Sequence, residues 1–122
     1  MKYMCGFWHL IRATGNSFCG IKDAFQSSYA FRHEIIIGIV QFIAMVFIRE
    51  CIWINIWLIS LWVLLMIVEL INSAIESVVD LVSPEWNVLA KHAKDYSSAA
   101  VFLLVLLFVV NWVFVVVRQF YR

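Results

Sequence analysis

The chain has 122 residues, 65% of them hydrophobic and 14% charged, with a formal net charge of +1. Ordinary globular domains are about 45–50% apolar and about 25% charged, and so short a chain exposes too much surface to hide this apolar excess from water; a soluble monomer is excluded. One proline and four glycines argue against collagen-like and disordered classes, and nine Lys and Arg against eight Asp and Glu leave no basic footprint for nucleic acid.

In chain order, residues 7–26 have helical periodicity. At about 100° per residue, Phe7, Leu10, Ile11, Phe18, Ile21 and Phe25 share one stripe, with Arg12, Asn16 and Asp23 opposite. This pattern predicts an amphipathic helix lying on a membrane surface, weakened by Gly15 and Gly20. The spacing of those two glycines resembles a phosphate-binding loop, but Ile21 stands where that loop needs lysine, so the motif is rejected.

The next apolar run, Ile35–Ile48, reaches spanning length as 30–48 if Arg32, His33 and Glu34 extend to the headgroups. Arg49 and Glu50 then mark a turn that carries no Gly or Pro. One helix through both runs would be about 50 Å long, too much for a single crossing. Residues 52–68 form the second predicted span, continuing as a cytoplasmic helix to about residue 81. A break follows near Ser83 and Pro84, and 99–117, interrupted only by Asn111, is the third span. The expected architecture is an all-α membrane protein with one surface helix and three transmembrane helices in a single domain, 1–122.

No signal peptide is apparent, because His9 and Arg12 break the early apolar cluster. With the N-terminus cytoplasmic, Lys2, Arg12, Lys22, Arg32, Lys91 and Lys94 lie inside and Arg49, Arg118 and Arg122 outside, as the positive-inside rule favours. Trp53, Trp57, Trp112 and Tyr121 then mark the outer interface. Gln41 and Asn111, lone polar residues within spans, read as interhelical hydrogen-bonding groups. Cys5, Cys19 and Cys51 form neither a disulfide framework nor a zinc site and read as buried or interfacial apolar residues. His9, His33 and His92 lack ligand spacing.

The chemistry concentrates after the second span. Glu69, Asn72, Ser73, Glu76 and Asp80 step by 3, 4, 7 and 11 and share one helix face. Glu69 directly follows the apolar run, where an ionised carboxylate is expensive and reads as functional rather than as a solvated face. Lys91, Lys94, Asp95 and Ser98 form a second stripe before the third span. Its lysines either compensate the acidic stripe or grip a phosphate. Together the stripes offer carboxylates for a divalent cation, a lysine for a polyphosphate and a carboxylate that takes a proton from a lipid hydroxyl. Five of the eight acidic residues fall between 69 and 98.

The run from Glu69 through Asn72 and Glu76 to Asp80, followed by Ala93-Lys94-Asp95-Tyr-Ser-Ser98, resembles the signature of the prokaryotic diacylglycerol kinase family, as does Ala30-Phe31-Arg32-His-Glu34. The likeness extends from about Ile11 to the end of the third span. It implies a homotrimer in the inner membrane with active sites between subunits at the cytoplasmic interface. It implies transfer of the γ-phosphate of ATP, as Mg-ATP, to the primary hydroxyl of diacylglycerol, giving phosphatidic acid. Glu69 then looks like the general base, Glu76 like a Mg2+ ligand, Asn72 like an organiser of the reacting groups and Lys94 like the phosphate-binding lysine. Asp80 and Asp95 resemble nucleotide-side carboxylates; Arg32, Glu34 and Ser98 look like substrate-side positions. The family usually places an acidic residue that shares the metal where this chain has Ser28, and no metal role is carried over to that serine; the position of His9 is commonly arginine. Undecaprenol kinases share the architecture, so undecaprenol is an alternative substrate. A non-enzymatic membrane assembly or transporter subunit is the alternative of another class, though transporters usually place ionisable groups near the midplane.

Overall fold

The computed structural model describes residues 2–121, with side chains from Trp8 onwards. Cys5, Phe7 and the side chain of Lys2, as well as Arg122, therefore lie outside the described side chains. Four helices follow in order, α1 (Lys2–Ser27), α2 (Tyr29–Ile48), α3 (Ile52–Val82) and α4 (Val88–Phe120), with no strand among the described residues. Of these, α2, α3 and α4 are long and apolar enough to cross a membrane. Hydrocarbon offers no partner to a free backbone N–H or C=O, and a helix satisfies those groups within one segment.

Each break has a local cause. Between α1 and α2, Ser28 adopts an extended conformation (φ −94°, ψ 121°) and its side chain accepts a hydrogen bond from the Phe31 N–H at 3.1 Å, capping the new helix. The reversal after α2 is made by Arg49 in the left-handed region at φ 51°, its N–H donating to Met45 O at 3.2 Å. Glycine normally takes that position, and a side-chain-bearing residue there costs about 1–2 kcal/mol. At the end of α3, Pro84 follows Ser83, and α4 restarts where the Asn87 side chain accepts from the Leu89 and Ala90 N–H groups.

The 31 residues of α3 make a rod of about 46 Å, longer than the roughly 30 Å of hydrocarbon in a bilayer. It packs most extensively on α4 and also on α2. Phe31, Leu58 and Leu65 are the largest fully buried side chains, joined by Leu61, Phe108 and Val115. Most other large apolar side chains of α2, α3 and α4 point outwards, a surface suited to lipid or to further protein rather than water. Leu10, Ile11, Phe18, Ile21 and Phe25 of α1 are likewise exposed. Cys19 and Cys51 are free and exposed on the single chain, so of the two readings, buried or interfacial, burial within the chain does not hold for these two.

Polar side chains within the spans join helices. Trp57 Nε1 donates to Asn111 Oδ1 at 3.0 Å, and Trp112 Nε1 donates to Gln41 Oε1 at 3.3 Å. Gln41 and Asn111 are thus interhelical acceptors, and Trp57 and Trp112 spend their N–H groups on them. Near the opposite end from the acidic stripe, Arg118 lies 3.9 Å from the carboxylate of the buried Glu50.

Helix α2 seats closely on α3 at Gly38. Trp62 donates its N–H to the Glu34 carbonyl oxygen at 2.8 Å and meets Phe42 edge to face, with ring centroids 5.9 Å apart. A Cβ on residue 38 would collide with the Trp62 ring. We expect Gly38→Ala to destabilise the fold by about 1–3 kcal/mol, the usual cost of overpacking, read from thermal unfolding in detergent by circular dichroism; unchanged stability would mean that the indole moves aside without cost.

Candidate active site

The sequence pattern of α3 changes abruptly near one end of the helix. Through Val68 it is almost wholly apolar, and from Glu69 it presents Glu69, Asn72, Ser73, Glu76, Ser77 and Asp80 on one side. That side forms one wall of a cleft of about 550 Å³, closed by Ser27, Ser28, Tyr29 and Ala30 at the α1–α2 junction and by Ser98 and Val101 of α4. The helical repeat collects polar side chains, and the three helices gather around them.

Glu69 is the most enclosed carboxylate of the cleft, with only 3% of the residue exposed. The Ser28 hydroxyl donates to its Oε1 at 3.2 Å. Glu34, also buried, sits one turn into α2 close enough for its charge to act on Glu69, and its Oε2 has no hydrogen-bond partner among the described residues. One turn further along α3, the Asn72 amide donates to Glu76 Oε1 at 3.2 Å, while Asn72 Oδ1 is buried and unpartnered.

Lys94 reaches across from α4 and donates to Asp80 Oδ1, and the buried Ser97 hydroxyl donates to the Lys94 carbonyl at 3.0 Å. Asp95 points elsewhere: it pairs with Lys91 on the same exposed face of α4 at 3.9 Å and does not line the cleft. Arg32 also stays out of the cleft, its guanidinium lying 4.4 Å from the centroid of the Tyr29 ring. Of the residues singled out from the sequence, Glu69, Asn72, Glu76, Asp80 and Ser98 therefore meet in one cleft and Glu34 lies beside it. Lys94 stands at the rim, and Arg32 and Asp95 lie outside. Sequence reasoning missed the hydroxyl of Ser28 on Glu69. The serine before a helix start is visible as a capping signal, but a partner 41 residues away is not.

Among the described residues no three His, Cys, Asp or Glu side chains converge as a metal-binding group. Magnesium, however, is commonly held by one or two carboxylates together with waters and substrate phosphates. Glu76 and the orphaned Oδ1 of Asn72 are oxygen donors of that kind, a set that fits an ion arriving with a nucleotide.

Buried carboxylates where an apolar helix bundle turns polar, with a lysine at the rim of their cleft, define a small helical membrane protein with an acidic site at one end of its helices. The comparisons with known proteins name the family. Residues 15–116 match prokaryotic diacylglycerol kinase. The diacylglycerol kinase of Escherichia coli strain K12 is 39% identical over 113 residues, covering 88% of each chain. That of Haemophilus influenzae is 38% identical over 107 residues, covering 88% of this chain and 91% of its own. The Pseudomonas aeruginosa enzyme is 36% identical over 111 residues, covering 91% and 90%. The chain belongs to the prokaryotic diacylglycerol kinase family and is a membrane protein.

The Lys94–Asp80 contact is an exposed ion pair, and such pairs contribute roughly 0–1 kcal/mol. We expect Asp80→Asn to leave stability within about 1 kcal/mol of the parent, measured by thermal unfolding in detergent; a larger loss would give the pair a structural role.

Proposed function

We propose that the protein transfers the γ-phosphate of ATP to the primary hydroxyl of diacylglycerol, giving phosphatidic acid, with Glu69 as general base. The observation that carries this reading is the buried Glu69 carboxylate, set where α3 changes from apolar to acidic and opening on a cleft large enough for reacting groups, in a chain of the diacylglycerol kinase family. The lipid approaches along the apolar faces of the helices and the nucleotide from the polar end. Glu69 takes the proton of the lipid hydroxyl as that oxygen bonds to the γ-phosphorus; the bond from phosphorus to the bridging oxygen breaks, and ADP leaves with the electron pair.

Glu76 and Asn72 would hold magnesium, which would supply positive charge to offset that of the phosphates. Lys94 exchanges Asp80 for phosphate oxygens, a change that costs little because the pair is exposed. Asp80 borders the nucleotide side of the cleft with Asp95 further along α4, and Arg32, Glu34 and Ser98 serve the lipid side. The active protein is a homotrimer in the inner membrane with its N-terminus in the cytoplasm. Its α1 helix lies on the membrane surface, consistent with the exposed Leu10, Ile11, Phe18, Ile21 and Phe25.

Purified protein in lipid, given labelled ATP with diacylglycerol or undecaprenol, tests the reading. We expect labelled phosphatidic acid and little undecaprenyl phosphate; the reverse would reassign the substrate, and no transfer to either lipid would refute the kinase. Glu69→Gln, nearly the same shape, should keep the fold and lower turnover by about 10²–10⁴-fold, the usual contribution of a general base. Turnover near that of the parent would remove Glu69 from the role.

A further inference from the structure

We infer that Ser28 is a positioning residue, its hydroxyl held by the start of α2 so that its proton is directed onto one oxygen of Glu69. The inference rests on the reading of Glu69 as general base and adds the group that orients it.

Two hydrogen bonds at one oxygen carry it. A serine hydroxyl has one proton to give and two lone pairs to receive with. In the N-cap position of α2 the oxygen accepts from the Phe31 N–H at 3.1 Å, which fixes where it sits relative to the helix. The hydroxyl then donates to Glu69 Oε1 at 3.2 Å. The backbone of one helix thereby sets the direction of a bond to a side chain of another, across 41 residues of sequence.

A carboxylate that is 3% exposed has little water to orient it, and a hydrogen bond to a charged group is among the stronger ones available. The bond occupies one oxygen of Glu69 and leaves the other to receive a proton. The donor is also uncharged. Glu69 already lies within electrostatic reach of both Glu34 and Glu76, and a neutral hydroxyl orients it without adding a further negative charge.

The experiment must separate this role from helix capping, since Ser28 does both. Glycine keeps most of the capping preference of serine and alanine does not, while threonine keeps both the cap and the proton. Ser28→Ala, Ser28→Gly, Ser28→Thr and Glu69→Gln would be compared in lipid for kcat, for KM of Mg-ATP and for melting temperature. The expected result is a kcat reduced roughly ten- to a hundredfold in both Ser28→Ala and Ser28→Gly, the scale on which a misplaced reacting group slows a reaction. KM for Mg-ATP should stay within about twofold of the parent, the pattern of an interaction lost in the transition state rather than in binding. Ser28→Thr should recover most of the kcat. The inference is overturned if Ser28→Gly turns over like the parent, or if the loss of kcat follows melting temperature across the three Ser28 variants. An active Glu69→Gln protein would overturn the assignment of the base and this inference with it. An inactive Glu69→Gln protein beside fully active Ser28→Ala and Ser28→Gly proteins would overturn this inference alone.

Discussion

A backbone amide in hydrocarbon has no water to turn to, and a side-chain amide or carboxylate is in the same position. That constraint explains why α2, α3 and α4 are unbroken helices of 20, 31 and 33 residues. It also explains how the few polar groups among them are used. Gln41 and Asn111 each receive an indole N–H from another helix, and the carbonyl of Glu34 takes a second donor from Trp62. The carboxylates that cannot be paired so simply are gathered where the apolar surface ends.

The cleft follows from that gathering, because a stripe with helical spacing needs only a facing wall to become a site. The wall comes from the first turn of α2 and from Ser98 and Val101 of α4. At the join, a single hydroxyl oxygen begins one helix and touches the central carboxylate of another. Lys94 stands opposite, bound to Asp80 through a contact that solvent screens. The enclosed part of the site is thus ordered by hydrogen bonds, while its rim carries charge that a ligand can rearrange at small cost.

How far the sequence alone leads depends on the range of the interaction involved. The helical class and the three apolar helices are legible because hydropathy is a property of contiguous segments, and the acidic stripe because a helical repeat is local. Turns are legible only where residue type marks them. Pro84 announces the end of α3, and the charged pair Arg49–Glu50 marks the reversal after α2, but with no glycine there nothing foretells the left-handed conformation of Arg49. Contacts between distant segments are the least accessible. Nothing in the local pattern of Ser28 points to Glu69, or of Trp62 to the Glu34 carbonyl, whereas the pairing of Asp95 with Lys91 follows the i,i+4 spacing of one helix. The resemblance to a family supplied roles for residues, but side-chain partners depend on how helices seat against one another.

The length of α2 has a consequence of its own. Its 20 residues measure about 30 Å from the cap at Ser28 to the reversal at Arg49, close to the hydrocarbon thickness of a typical bilayer. Both ends are fixed, one by the serine that touches Glu69 and the other by a tight left-handed turn, so the helix acts as a gauge with the central carboxylate at one mark. A bilayer of a different thickness has to meet that gauge by tilting the bundle or deforming its own leaflets, at fractions of a kcal/mol per Å of mismatch. Membrane thickness then becomes a variable that sets how deeply the carboxylate is immersed.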